Sequence, residues 1–407
     1  MRRVSGEGST SGDNPFEGMP FIGDLMRMIG QQGAVSWDGA RQLALSIATA
    51  GESEPNVDPM TRISFEQLAR VAEIQVANAT GLATSLTGRS VTVTPVTRSQ
   101  WVLATIDAYR PLFERLAEAV KADHAATSSA ADLDPLTMMS GEGDPTGQWL
   151  AQLMQLLSPM MLGMTAGSMV GHLSTRSFGQ YDLPVPRPAG DELPVLVTNL
   201  DSFGTEWSLD SDDLRLWVCL HELTHHAVLG VPHVRARLDG LLMDFVSSFQ
   251  TDPGSLENRL GDLEPTSLEN MQGLQQLFGD PEVMLGAIQS DRQRELLPRL
   301  EALVAVIEGY VDHVMDHIGG HLISSYDRVT EAVRRRRVEA ASSDRFVERL
   351  LGLELTQDRY DRGTRFIDGV VERAGEESLE RLWQNEAELP TPAEVDAPGL
   401  WLARIDL

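Results

Sequence analysis

Two histidines and a glutamate at one spacing carry the strongest chemical signal in the sequence. The run Leu216-Trp217-Val218-Cys219-Leu220-His221-Glu222-Leu223-Thr224-His225-His226 holds H-E-x-x-H inside an apolar stretch that reads as a helix. On a helix, His221 and His225 lie one turn apart on one face, and Glu222 is one residue step around the cylinder. Two neutral imidazoles so placed can share a zinc ion, while the carboxylate reaches a water on that metal and takes its proton. With nine histidines and 60 acidic residues in 407 positions, about 0.03 accidental matches are expected at most. His226, one step past the second histidine, is expected at the rim of the site or behind it.

Zinc in a working site needs a third protein ligand and an open position. Only His124 and His172 fall outside the window 221–321, and three sources of the ligand stand within it. His233 would serve in the metzincin pattern H-E-x-x-H-x-x-G-x-x-H, but Val228 and Val231 occupy the places of its glycine and third histidine. Glu308-Gly309-Tyr310-Val311-Asp312 resembles the gluzincin pattern typified by thermolysin, in which a downstream E-x-x-x-D completes the site. There the glutamate is the third ligand, and the aspartate bonds the far nitrogen of the first zinc histidine. Glu308 and Asp312 share one helix face, and a carboxylate behind a zinc-bound imidazole fixes its tautomer and raises its basicity. The third source is His313, Asp316 or His317, on the same stretch. Tyr310, His313 and Tyr326 are the candidate donors to a developing oxyanion.

The elements that must position these groups are mostly helical. Asp210, Ser211, Asp212 and Asp213 offer an N-cap before the motif, and Gly230 and Pro232 mark its end. Apolar spacing predicts further helices over 37–48, 65–82 (capped by Ser64), 101–120, 234–249, 267–278, 300–318 and 322–338. Pro298 reads as opening the helix at 300, and Gly319-Gly320 as closing it. Leu193 to Leu200 is the clearest strand, and residues 89–95 form a second short extended piece. A strand so placed could border a cleft and take an extended peptide on its edge. The fold class expected is mainly α with a small β-sheet (α+β). Residues 1–14 read as a loose terminus, 15–120 as a helical region, 121–147 as a linker or surface loop, and 148–407 as the metal-bearing region, one compact unit with 15–120. The basic run Arg334 to Arg337 reads as a solvated face paired with nearby acids.

Composition narrows the partners. A net charge of −27 disfavours nucleic acid and anionic membranes, which require a basic face. Lys121 is the sole lysine, and Cys219 the sole cysteine, so no intrachain disulfide forms. The opening residues lack the apolar core of a secretory signal. The Leu/Met-rich stretch from Trp149 to Gly171 is broken by Pro159 and by Gly163, Gly167 and Gly171, spacing that suits close helix packing better than a membrane span. A cytoplasmic location is expected.

The whole chain resembles a mainly actinobacterial family of zincin-like proteins regarded as zinc-dependent metalloproteases or hydrolases, some named for deazaflavin coenzyme biosynthesis. The matching stretches are Asn14-Pro15-Phe16, Gly179-Gln180-Tyr181-Asp182-Leu183-Pro184, Leu216 to His226, Glu308 to Asp316 and Leu389-Pro390-Thr391-Pro392. The resemblance implies a mostly helical zincin-like core, zinc on His221, His225 and Glu308, and Glu222 as general base. It supplies no substrate; a peptide or protein substrate is expected from the chemistry of a zinc-bound water beside a general base. Two other functions fit the same residues: a zinc-stabilised binding or scaffold protein without turnover, and a hydrolase of small amides in cofactor metabolism. Oligomeric state is left open by the sequence.

Overall fold

The structure, a computed structural model, describes residues 33–132, 145–251, 287–288, 290–338, 348–354 and 356–406. The loose terminus, the Asn14-Pro15-Phe16 motif and the helix expected over 267–278 lie outside these residues. In chain order the elements are α1 (Trp37–Thr49), α2 (Pro59–Thr80), β1 (Thr92–Val96), α3 (Arg98–Asp132) and α4 (Pro145–Arg176). Then come β2 (Glu192–Leu196), α5 (Val197–Glu206), α6 (Ser211–Gly230), α7 (Pro232–Ser247), β3 (Gln250–Thr251), β4 (Ala287–Ile288) and α8 (Asp291–Leu322). The chain ends with α9 (Tyr326–Val338), α10 (Gln357–Ala374), two 3-10 turns (Glu376–Trp383 and Glu386–Glu388), α11 (Pro392–Asp396) and α12 (Pro398–Ile405). The mainly helical class is as expected. Strands β1 and β2 pair in parallel with Val93 opposite Leu193, and β3 and β4 form a minimal antiparallel pair.

One apolar core runs from Val35 to Trp401, and α6 lies within it. Residues 216–229 of α6 are buried without interruption, which is why its sequence is apolar all round rather than striped. Asp210 caps it by accepting N–H bonds from Asp212 and Asp213, each 3.0 Å. Helix α8 is likewise buried from Ala302 to Val311, so Glu308 enters the interior on an apolar helix.

The small residues of α4 act as the sequence predicts. Gly167 lies against the Ala40 carbonyl of α1, and Gly163 against that of Ser36, so that a β-carbon at either would overlap backbone. Ala40, Ala44 and Ala48 supply the facing surface. Among the described residues no helix is long and apolar enough to cross a membrane. Gly167→Leu should force α1 off α4 and destabilise the protein by about 3 kcal/mol, the upper range for overpacking. A lowered denaturant midpoint with an unchanged slope would show it; an unchanged midpoint would mean that the two helices separate freely.

Several boundaries differ from expectation. Helix α2 begins at Pro59, with Asp58 rather than Ser64 at its N-cap, because proline at the first helical position gives up only an N–H that has no partner there. Helix α3 continues to Asp132, through the alanine-rich start of the expected linker, because alanine is the best helix former; residues 133–144 are outside the described ones. Strand β2 stops at Leu196 despite the β-branched residues beyond it. Asn199 must donate to the carbonyls of Ser174 (2.9 Å) and Ser177 (2.6 Å) at the end of α4, and this turns the chain into α5. Helix α8 begins seven residues before Pro298, closed by a reciprocal Ser290–Gln293 capping box. It also passes through Gly319, whose missing side chain makes room for the Tyr326 ring.

Candidate metal centre and catalytic site

Helices α6 and α8 bring the expected first ligands together. His225 Nε2 lies 3.2 Å from Glu308 Oε1, although 83 residues separate them. Donors each about 2.1 Å from a tetrahedral zinc stand about 3.4 Å from one another, so this pair is close to ligand spacing. His225 Nδ1 is 3.1 Å from the His221 carbonyl; donation there leaves the Nε2 lone pair for a cation. The His221 and His225 rings are 4.4 Å apart. Among the described residues no three His, Cys, Asp or Glu side chains close as a finished metal cage. The donor set, two imidazoles and a carboxylate, is nonetheless the one that suits zinc with a position left open. Aromatic rings hold both histidines: Trp217 stacks on His221 at 5.0 Å and Tyr181 on His225 at 5.7 Å.

Glu222 is held by main chain. Its Oε2 accepts N–H bonds from Gln180 (2.8 Å) and Tyr181 (3.2 Å), the Tyr181 N–H being shared with Oε1 at 3.3 Å, and Oε1 lies 3.4 Å from His221 Nδ1. The loop can approach because residue 179 is glycine; a β-carbon there would overlap the Glu222 carboxylate. The Gly179 carbonyl in turn accepts the indole N–H of Trp101 at 3.1 Å, and its N–H donates to Asp182 at 3.0 Å. Burial, and next the nearby Asp182 charge, raise the Glu222 carboxyl to about 7 against the pull of His225 and the two amides. Burial pushes the His221 imidazole down to about 3. Burial acts to lower His225, but the Glu308 carboxylate, the Glu222 charge and the His221 carbonyl together hold that imidazole above its ordinary value.

His226 belongs to a buried chain of polar groups beside the site. Its Nδ1 meets the Tyr181 hydroxyl at 2.8 Å and its Nε2 lies 3.4 Å from Asp191. Asp191 also accepts the backbone N–H groups of Leu86 (2.6 Å) and Thr87 (3.0 Å), which fixes this chain of polar groups to the loop before β1.

A cavity of about 390 Å³ opens beside the centre, lined by His221 and Glu308 and by Trp217, Tyr181, Arg337 and Tyr360 among others. Glu222 does not line it and is 1% exposed; its Oε1 lies against His221, which does line it. Asp312 pairs with Arg337, 3.3 Å from each carboxylate oxygen. Arg337 also lies over the Tyr360 ring at 4.4 Å.

The other sequence-derived candidates are placed elsewhere. Tyr310 packs edge-on against Trp383 at 4.8 Å, and His313 meets Glu376 at 3.3 Å. Tyr326 donates to Asp316 at 2.7 Å. None of these three expected oxyanion donors lines the cavity, because positions 310 and 313 face the 3-10 turn rather than α6. His233 opens α7, and its Nε2 is buried without a partner among the described residues. The basic run divides. Arg334 and Arg335 are solvated as expected, whereas Arg336 and Arg337 turn inward onto the cavity wall. Sequence reasoning missed Arg337 and Tyr360; the one available signal was a tyrosine on the apolar face of an amphipathic helix.

The far wall is set by a backbone contact. Gly309 of α8 and Gly363 of α10 approach so closely that a β-carbon on Gly309 would overlap the Gly363 main chain, and one on Gly363 the Ala305 carbonyl of α8. Glu308 and Tyr360 project from the two helices that meet there.

A helix-borne H-E-x-x-H, a carboxylate from a second buried helix and an adjoining cavity together define the zincin class of metal site. In keeping with this, the model of a family of zincin-like metallopeptidases matches residues 35–402, and the chain belongs to that family. A solved crystal structure, described as a candidate hydrolase with a novel fold from Chloroflexus aurantiacus, is similar with a TM-score of 0.60 and 23% identity. The match covers 91% of this chain and 99% of that one; at such identity it shows the fold alone. Comparison with curated proteins found no match.

Proposed function

We propose that this protein is a zinc-dependent hydrolase of peptide bonds, with His221, His225 and Glu308 holding the metal and Glu222 acting as general base. The observation that carries the reading is the 3.2 Å approach of His225 Nε2 to Glu308 Oε1 across two helices, beside a buried glutamate on one of them. When bound, zinc supplies Lewis acidity, polarising a carbonyl and easing the deprotonation of water. Glu222 Oε1 takes the water's proton and passes it to the leaving amine, while Oε2 stays on the Gln180 and Tyr181 amides. That anchorage keeps the carboxylate from swinging away between the two transfers. Arg337 and Tyr360, on the cavity wall, provide donors for the charge that develops on the substrate oxygen. Asp312 holds Arg337 there; the sequence placed it behind His221 instead, but His221 Nδ1 faces Glu222.

Metal removal tests the reading. The purified protein should contain about one zinc per chain and cleave members of a peptide library. A strong chelator should abolish cleavage, and added zinc should restore it. Undiminished cleavage by metal-free protein would end the proposal. Stoichiometric zinc with no turnover on peptides or small amides would instead favour a scaffold role.

A further inference from the structure

The cavity is richer in arginine than the protein that contains it. The chain carries 60 acidic residues against 33 basic ones, yet four arginines and four carboxylates line this space. Three of those arginines are matched: Arg176 with Glu348 (2.9 Å), Arg336 with Asp182 (3.7 Å) and Arg337 with Asp312 (3.3 Å). Arg98, the first residue of α3, differs. Its Nε donates to the neutral Asn199 amide oxygen at 2.8 Å, and among the described residues no carboxylate is within ion-pair distance of its guanidinium. Glu54, the acid near it in space, is occupied by the backbone N–H groups of Arg98 and Ser99, both at 2.9 Å. Of the other lining acids, Glu308 faces His225 and Glu206 is exposed to solvent.

Asn199 makes this cation rigid. Its amide nitrogen is fixed on two carbonyls at the end of α4, so its oxygen presents a set position to Arg98 Nε. The two terminal nitrogens of the guanidinium remain as a planar fork, the geometry that binds a carboxylate through two parallel bonds. The space is short. A volume of 390 Å³ is about 9 Å across, the length of two or three extended residues at about 3.3 Å each.

We propose that Arg98 binds the free C-terminal carboxylate of a peptide, so that this cavity takes chain ends rather than the interior of a chain. The assignment rests on the hydrolase reading above, since it places the scissile bond between Arg98 and the metal centre. It makes the enzyme a carboxypeptidase acting on short or unfolded C-termini. Arg98 is a specificity-determining residue here, and the zinc ligands are untouched by it.

Binding without turnover tests the assignment apart from the catalysis. Zinc-loaded Glu222→Gln protein is titrated with N-acetyl dipeptides of varied C-terminal residue, each as free acid and as C-terminal amide. Trp207 and Trp217 line the cavity and report occupancy by fluorescence, with calorimetry as a second readout. The free acids should bind about tenfold more tightly than the amides, the worth of one charge-assisted pair. Arg98→Gln in the same background should bring acid and amide to within about twofold, chiefly by weakening the binding of the acid. Equal binding of acid and amide, no saturable binding of any free acid, or an acid preference that survives Arg98→Gln would overturn the proposal. So would inorganic phosphate displacing the acids at lower concentration than they bind. An acid preference in a protein that never cleaves peptides would overturn the hydrolase reading and the carboxypeptidase assignment with it, leaving only the binding of the carboxylate by Arg98.

Discussion

Glu222→Gln should retain its zinc and lose at least about 100-fold in turnover, the lower range for removing a general base. The amide has the volume of the carboxylate and can still accept from the Gln180 and Tyr181 N–H groups with its one oxygen. What it lacks is the capacity to take a proton. His221, His225 and Glu308 are unchanged by the substitution, so metal content measured by elemental analysis should match the wild type. A truncation such as Glu222→Ala would be a poorer test, because it leaves two buried N–H groups without partners. Cleavage at the wild-type rate by the glutamine variant would remove Glu222 from the mechanism.

Glu308→Gln should weaken zinc binding by more than about 100-fold, since even residues behind metal ligands are worth 10–100-fold. Glu308 is 4% exposed and faces His225. The substitution conserves volume and removes a buried negative charge, so the metal-free fold should survive it. Competition against a chromophoric chelator gives the affinity, and thermal unfolding in excess chelator controls for the fold. Activity should be absent at limiting zinc and partly recovered when zinc is in excess. If the variant held zinc as the wild type does, the third ligand would lie elsewhere, with the buried nitrogen of His233 the next place to look.

The parts of this site that were legible in the sequence are those encoded locally. H-E-x-x-H places its groups by helix geometry alone, and Asp210 and Pro232 bound that helix by capping chemistry. Glu308 stood out because an acidic residue in an apolar helical run needs a buried partner. The loop from Gly179 to Asp182 was visible as a motif, but its task was not. It serves by presenting backbone N–H groups to Glu222, and the identity of residues 180 and 181 says nothing about that. Arg337 was hidden in a run of four arginines, because the rotation of α9 about its axis decides which two face inward. The Gly319-Gly320 pair misled for a related reason: the same residue type ends helices and admits close neighbours. Here the neighbour is Tyr326, ten residues after the aspartate it contacts.

The meeting of Gly309 with Gly363 has a consequence for how such a site can diversify. Where two helices touch through main chain, no side chain remains between them to be lengthened, shortened or exchanged, so their separation is not a quantity that point mutation can adjust by degrees. Any larger residue at either position breaks the contact outright. The wall that carries Glu308 and Tyr360 is thus a fixed datum. Relatives with other substrate preferences would be built by altering the opposite side, where α3, α5 and α9 contribute flexible side chains, leaving the glycine pair in place.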